Sequence, residues 1–117
     1  KTNITPISHA LNVIQQLRPI QYQMIKPSTD PTGHLIFDVT PENIQPGIQT
    51  GLAAQDVYSV FPDAVVKPED ESTAPWMVSY NDFIPVLIQA VKEHKTETDE
   101  LKMRIEALEA QIKALQK

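Results

Sequence analysis

The sequence predicts an α+β fold: a small helix-and-strand head with a protruding loop or hairpin arm, then a long C-terminal helix forming a trimeric coiled coil. Three observations predict it. All 10 Pro and all 3 Gly of the 117 residues fall in residues 1–85. Charge divides at the same point, with nine acids and four bases in residues 1–85 but six of each in residues 86–117. After Asn81, apolar residues recur at alternating spacings of three and four, which is the heptad pattern. The head is therefore assigned to residues 1–80, with the arm at about 26–50, and the helix and coiled coil to 81–117.

His9 to Leu17 reads as a short helix. Ala10, Leu11, Ile14 and Leu17 share one face, and Ser8 is a plausible N-cap because its hydroxyl can accept from a free first-turn N–H. Pro19 disfavours helical geometry at Arg18 and stops the helix. Ile20, Tyr22 and Met24 alternate with Gln21 and Gln23, the pattern of a half-buried strand. Residues 26–50 are punctuated by Pro27, Pro31, Gly33, Pro41, Pro46 and Gly47. Within them His34–Thr40 can form a strand with Leu35, Phe37 and Val39 on one face. A long irregular segment inside a small domain is often functional.

Gln49–Ala53 reads as a short strand and Ala54–Val60 as one or two helical turns stopped by Phe61-Pro62. Ala64–Lys67 is a brief strand. Pro68–Pro75 is an acidic loop whose Glu69-Asp70-Glu71 run reads as solvated charge. Trp76, Val78 and Tyr80 alternate again. From Asn81, a good N-cap, one helix runs on. Pro85 falls in its first turn, where a missing N–H costs little. About 36 residues at 1.5 Å each reach roughly 54 Å.

In that helix Ile84, Val91, Thr98, Ile105 and Ile112 take heptad position a, and Leu87, His94, Leu101, Leu108 and Leu115 take d. One helix cannot bury such a seam, so self-association is expected. Ile at a with Leu at d favours two strands. The flanking charges favour three, because Arg104-Ile105-Glu106-Ala107-Leu108-Glu109 resembles a motif of trimeric coiled coils. There the Arg104 stem covers the core while its guanidinium grips the neighbouring chain's Glu109, a pairing Lys makes less well. His94 and Thr98 make the middle of the seam polar, which costs stability and can fix register. Three His94 rings near one axis could bind an anion or respond to pH; a tolerated, hydrated polar layer is the plainer reading.

Composition excludes several functions. With no Cys, the chain has no disulfide, thiolate metal site or Cys nucleophile. A net charge of −5 argues against nucleic acid, whose phosphates need clustered Lys and Arg. No apolar run approaches the roughly 20 residues of a membrane span, and the sequence opens with no signal-peptide pattern. His9, His34 and His94 share no metal-ligand spacing with Asp or Glu. The three glycines match no phosphate loop. Neither a cofactor nor a metal is expected.

Four segments together carry a resemblance: Lys1-Thr2-Asn3-Ile4-Thr5-Pro6-Ile7, Leu17-Arg18-Pro19-Ile20-Gln21-Tyr22, the stretch from Gly51-Leu52-Ala53-Ala54-Gln55 to Phe61-Pro62-Asp63-Ala64-Val65, and the helix start from Tyr80 to Glu93. In order and spacing the chain resembles the C-terminal intramolecular chaperone domain (peptidase S74 family) of bacteriophage tailspikes, tail fibres, neck appendages and endosialidases. The same domain occurs in a membrane-tethered myelin transcription factor.

The resemblance implies a homotrimer that registers three copies of an upstream β-helical stalk of its own polypeptide and then cuts itself off. It implies work in the host cytoplasm during virion assembly, with release from the mature fibre. Leu35, Ile36 and Phe37 would belong to the arm that contacts the stalk. The family cut falls between Ser and Asp of a Ser-Asp-x-Arg-x-Lys pattern, with Ser as nucleophile and Lys as general base. A buried Lys can take that role, since desolvation disfavours the ammonium.

Lys1 aligns with the last position of that pattern, and the Ser would lie five residues before it. Residues 1–117 therefore hold no nucleophile, and single-turnover endopeptidase activity is an expectation for a precursor. A non-cleaving trimerisation module is the alternative. A winged-helix-like DNA-binding head is a second one, against which the charge argues.

Overall fold

The computed structural model describes residues 1–116. In chain order the elements are α1 (Ala10–Gln15), β1 (Ile20–Tyr22), β2 (Ser28–Thr29), β3 (Leu35–Ile36), β4 (Gln49–Gly51), α2 (Ala54–Val60), β5 (Val65–Val66), β6 (Met77–Val78) and α3 (Phe83–Leu115). Single 3-10 turns occupy Pro62–Ala64 and Tyr80–Asp82. The fold is α+β, a small strand-and-helix head followed by one long helix. Contacts divide the chain into two compact units, Gln15–Phe83 and Lys1–Ile14 with the chain from Ile84 onward. The sequence boundary at 80/81 does not anticipate the grouping of residues 1–14 with the helix.

The unit Gln15–Phe83 has a small core of Val57, Ala64 and Phe83. In α2, Val57 is fully buried on the inner face. Phe61 leaves helical geometry at φ −142° and ψ 76°, and Pro62 then prevents continuation. The Phe61 ring meets Phe83 edge-on at 5.4 Å, a favoured aromatic geometry. Strands β5 and β6 pair antiparallel through Val65 with Val78 and Val66 with Met77, and the Ser79 N–H extends the pairing to the Ala64 carbonyl at 2.7 Å. Tyr58 and Trp76 stack edge-to-face at 5.3 Å, with the Lys67 ammonium within 5.5 Å of both ring centres.

The Pro-punctuated stretch is a hairpin with slips in its register. Ile20 pairs with Gly51 and Tyr22 with Gln49; then Ile25 bridges Ile44; then Ser28 pairs with Ile36 and Thr29 with Leu35. From Tyr22 to Ile25 the first strand advances three residues while its partner retreats five, from Gln49 to Ile44. From Ile25 to Ser28 the partner retreats eight, to Ile36. The extra residues bulge out, which is why His34–Thr40 is not the continuous strand that its alternation predicts. Only Leu35–Ile36 pairs.

Gly51 is fixed by close approach. A Cβ there would lie 2.5 Å from the Tyr80 hydroxyl and 3.3 Å from the Tyr22 ring. That hydroxyl accepts the Leu52 N–H at 3.0 Å, so β1, the end of β4 and the approach to α3 meet around a missing side chain.

In the other unit, α1 is shorter than its apolar pattern suggests. His9 takes φ of +57°, outside the right-handed helix, so the helix begins at Ala10. The expected Ser8 cap is replaced by the Glu93 carboxylate of α3, which accepts from the Ala10 N–H at 3.0 Å and the Leu11 N–H at 3.5 Å. Asn81 is likewise no N-cap, because Tyr80–Asp82 form a 3-10 turn and α3 begins at Phe83. Pro85 sits in the first turn of α3, as expected. At 33 residues, α3 is about 50 Å long at 1.5 Å per residue.

Candidate functional site: an exposed helix seam, a hairpin arm and an N-terminal lysine

Helix α3 carries two apolar faces. Phe83, Val86 and Ala90, at spacings of three and four, are buried. Ile84, Leu87 and Val91 stand one residue on from them and are exposed, Val91 at 67%. The second face continues through Leu101, Ile105, Leu108, Ile112 and Leu115, all more than half exposed. Exposing so many large apolar side chains in one row is costly in water and marks an interaction surface.

Between the two apolar runs of the seam, His94 is exposed and Thr98 half-buried. The Thr98 hydroxyl donates to the His94 carbonyl one turn back at 2.9 Å. Its polarity is thereby satisfied within the helix. Arg104 and Glu109 are exposed beside the seam. An i, i+4 pair, Lys95 Nζ with Asp99 at 2.7 Å, lies on the exposed helix surface and draws the Asp99 carboxyl below its usual value.

The arm residues separate. Leu35 is half-buried and its N–H donates to the Ser72 carbonyl, which ties β3 to the acidic loop. Ile36 and Phe37 are more exposed, Phe37 at 50%. The arm's tip is organised by Asp30. Its carboxylate accepts the Thr32 N–H and the His34 N–H, each at 2.9 Å, and the Thr32 hydroxyl at 2.6 Å. Gly33 closes the turn at φ +89°, a conformation costly for other residues. The Thr32 hydroxyl and then the His34 N–H hold the Asp30 carboxyl below its ordinary value. His34 Nδ1 lies 3.4 Å from Asp30 Oδ2.

Asp70 does the same work in the acidic loop, so it is more than solvated charge. It accepts the Ser72 hydroxyl and the Ser72 N–H, which lower its carboxyl's pKa. Lys1 is exposed at the start of its unit. The seam and Lys1 belong to one unit and the arm to the other. Among the described residues no group of His, Asp and Glu is placed to hold a metal ion, and no helix is long and apolar enough to cross a membrane.

Sequence reasoning missed three positioning features. Glu93 gave no signal, because its partners lie more than 80 residues away. The Phe83–Val86–Ala90 face was visible at helical spacing but was masked by the heptad beside it. The Gly51–Tyr80 approach had only the isolated glycine to announce it.

The chain thus combines a small α+β head, a hairpin arm and a helix bearing an unburied heptad seam. The family model described as Peptidase S74, chaperone of endosialidase, matches residues 1–66. The chain belongs to this family, and an intramolecular chaperone role in general follows from that membership. A search of curated proteins gave no match.

Proposed function

We propose that the chain is a homotrimeric intramolecular chaperone. Three copies associate along Ile84, Leu87, Val91, Leu101, Ile105, Leu108, Ile112 and Leu115, with Arg104 and Glu109 pairing between neighbouring chains. The trimer holds three copies of an upstream β-helical stalk in register, at work in a host cytoplasm during assembly of a phage fibre or spike. Joining three chain ends raises their effective concentration, so slow non-local β pairing starts aligned. One observation carries the reading: a member of this chaperone family leaves a heptad seam exposed along a 33-residue helix.

Release by cleavage completes the proposal. In a precursor, Lys1 accepts the proton of a Ser hydroxyl five residues upstream as that oxygen attacks the Ser carbonyl carbon; the C–N bond to the following Asp breaks, the proton passes to the departing amine, and water hydrolyses the ester that is left. The base is made by covering the Lys1 ammonium. A correctly folded stalk supplies that cover, and desolvation then disfavours the ammonium.

The test is expression of the parent chain in three forms. Wild type is expected to give folded trimeric fibre and a separate cut fragment. Lys1→Ala is expected to give folded fibre still joined to this domain. Ile105→Asp with Leu108→Asp is expected to give neither folded fibre nor cut fragment. Folded fibre from the last form would overturn the chaperone reading, and uncut fibre from wild type would leave a non-cleaving trimerisation module.

A further inference from the structure

The unit Gln15–Phe83 contains an open groove of ≈ 730 Å³. Its walls include Tyr22, Met24, Phe37, Trp76, Met77 and Tyr80. Four of these large apolar side chains are 42–60% exposed (Met24, Phe37, Met77 and Tyr80). That much apolar surface in one concavity marks a binding site rather than incidental exposure. Aromatic side chains give wide contact for few frozen torsions, and flexible methionines adjust to occupants of different shape. A groove of this kind suits a run of apolar side chains of varying identity.

Charge narrows the occupant. Gln15–Phe83 holds nine acids against three bases, a net charge of −6. Glu71 lies in the groove wall. Of the three bases, Arg18 is engaged by Asp56 at 3.0 Å and Lys67 lies over the Tyr58 and Trp76 rings. Glu71 is the one charged side chain among the residues lining the groove, and together with the unit's net charge of −6 it favours a cationic partner.

We propose that this groove takes an extended polypeptide of alternating apolar and basic side chains, a client segment whose role rests on the chaperone reading above. Apolar side chains enter between the aromatic and methionine walls, and the long Lys or Arg stems between them bend back to Glu71. Phe37 is then the arm residue that touches the client, while Leu35 keeps the arm attached to the acidic loop.

The test uses the full chain and short fluorescein-labelled peptides of repeating Val-Lys, Val-Glu or Ser-Lys, read by fluorescence anisotropy. The Val-Lys peptide is expected to bind saturably, at least about tenfold tighter than Val-Glu, with affinity falling as salt rises. Ser-Lys is expected not to saturate. Phe37→Ser and Met77→Ser, both at exposed positions, are expected to weaken Val-Lys binding at least about tenfold with unchanged sedimentation mass. Glu71→Gln is expected to narrow the gap between Val-Lys and Val-Glu. Equal binding of Val-Lys and Val-Glu overturns the proposal, as does binding that both Ser variants leave unchanged. A lower mass for Met77→Ser puts a second copy in the groove and also overturns it. Fibre yield from the parent chain separates the two readings. Dependence on this domain without peptide binding sinks only the groove, whereas fibre that folds without the domain sinks the chaperone reading itself.

Discussion

The Glu93 carboxylate accepts the first two N–H groups of α1, from Ala10 at 3.0 Å and Leu11 at 3.5 Å. These N–H groups have no partner within their own helix, and His9, at φ +57°, begins the turn with a carbonyl that accepts from Val13 at 3.2 Å. A six-residue helix is too short to persist alone in water. The cap from α3 is what ties the N-terminal segment, and hence the chain leading in from Lys1, to the long helix.

Glu93→Ala is expected to destabilise this unit by about 1–2 kcal/mol, the cost of a lost N-cap. Glu93→Gln keeps an acceptor and should cost less. Urea unfolding measures both, with amide exchange at Leu11 and Val13 reporting α1 locally. A Glu93→Ala chain as stable as wild type contradicts the assignment.

Gly51→Ala is expected to cost about 2 kcal/mol, because the new methyl overlaps the Tyr80 hydroxyl and breaks its bond with Leu52. Tyr80→Phe removes the overlapping oxygen. The double variant should therefore be less destabilised than the sum of the single ones. A double-mutant cycle by denaturant titration reads this directly, and simple additivity would refute the close approach.

The arm's tip is expected to lose order in acid. The Thr32 hydroxyl and the His34 N–H hold the Asp30 carboxyl below its ordinary value of 3.8. A depressed carboxyl contributes stability that is fully present above the unfolded value and is lost as pH falls through the lower folded one. Thr32 and His34 amide exchange should therefore stay slow down to about pH 3.8 and speed up only below it. Asp30→Asn should abolish that dependence. Loss of protection already above the ordinary carboxyl value would contradict the tip geometry.

Thr98→Val is expected to stabilise the proposed trimer by about 1 kcal/mol per chain, since it replaces a hydroxyl in the seam with a methyl. The hydroxyl donates to the His94 carbonyl, which already serves the helix ladder. Thermal unfolding at fixed chain concentration measures the gain. A lower midpoint would mean that the hydroxyl has a partner across the interface.

Elements whose order comes from local chemistry were legible in the sequence. Ala54–Val60 is the helix that Phe61-Pro62 should end, and the long helix follows from the absence of Pro and Gly after residue 85. Elements decided across the chain were not. Ser8 satisfied every local rule for a cap, yet a carboxylate on another element took the role. The hairpin's alternation predicted strand through Thr40, but that side of the hairpin carries the extra residues, and His34–Thr40 pairs only at Leu35 and Ile36. The seam was readable because it repeats; the groove was not, because Tyr22, Phe37 and Trp76 are brought together only by folding.

The central claim is that three chains associate along α3. Sedimentation equilibrium of the purified chain and of the Ile105→Asp/Leu108→Asp variant tests it most directly. The expected result is three times the 13.1 kDa chain mass for wild type and a single 13.1 kDa chain for the variant. A wild-type mass of one chain, or an unchanged mass in the variant, would contradict it.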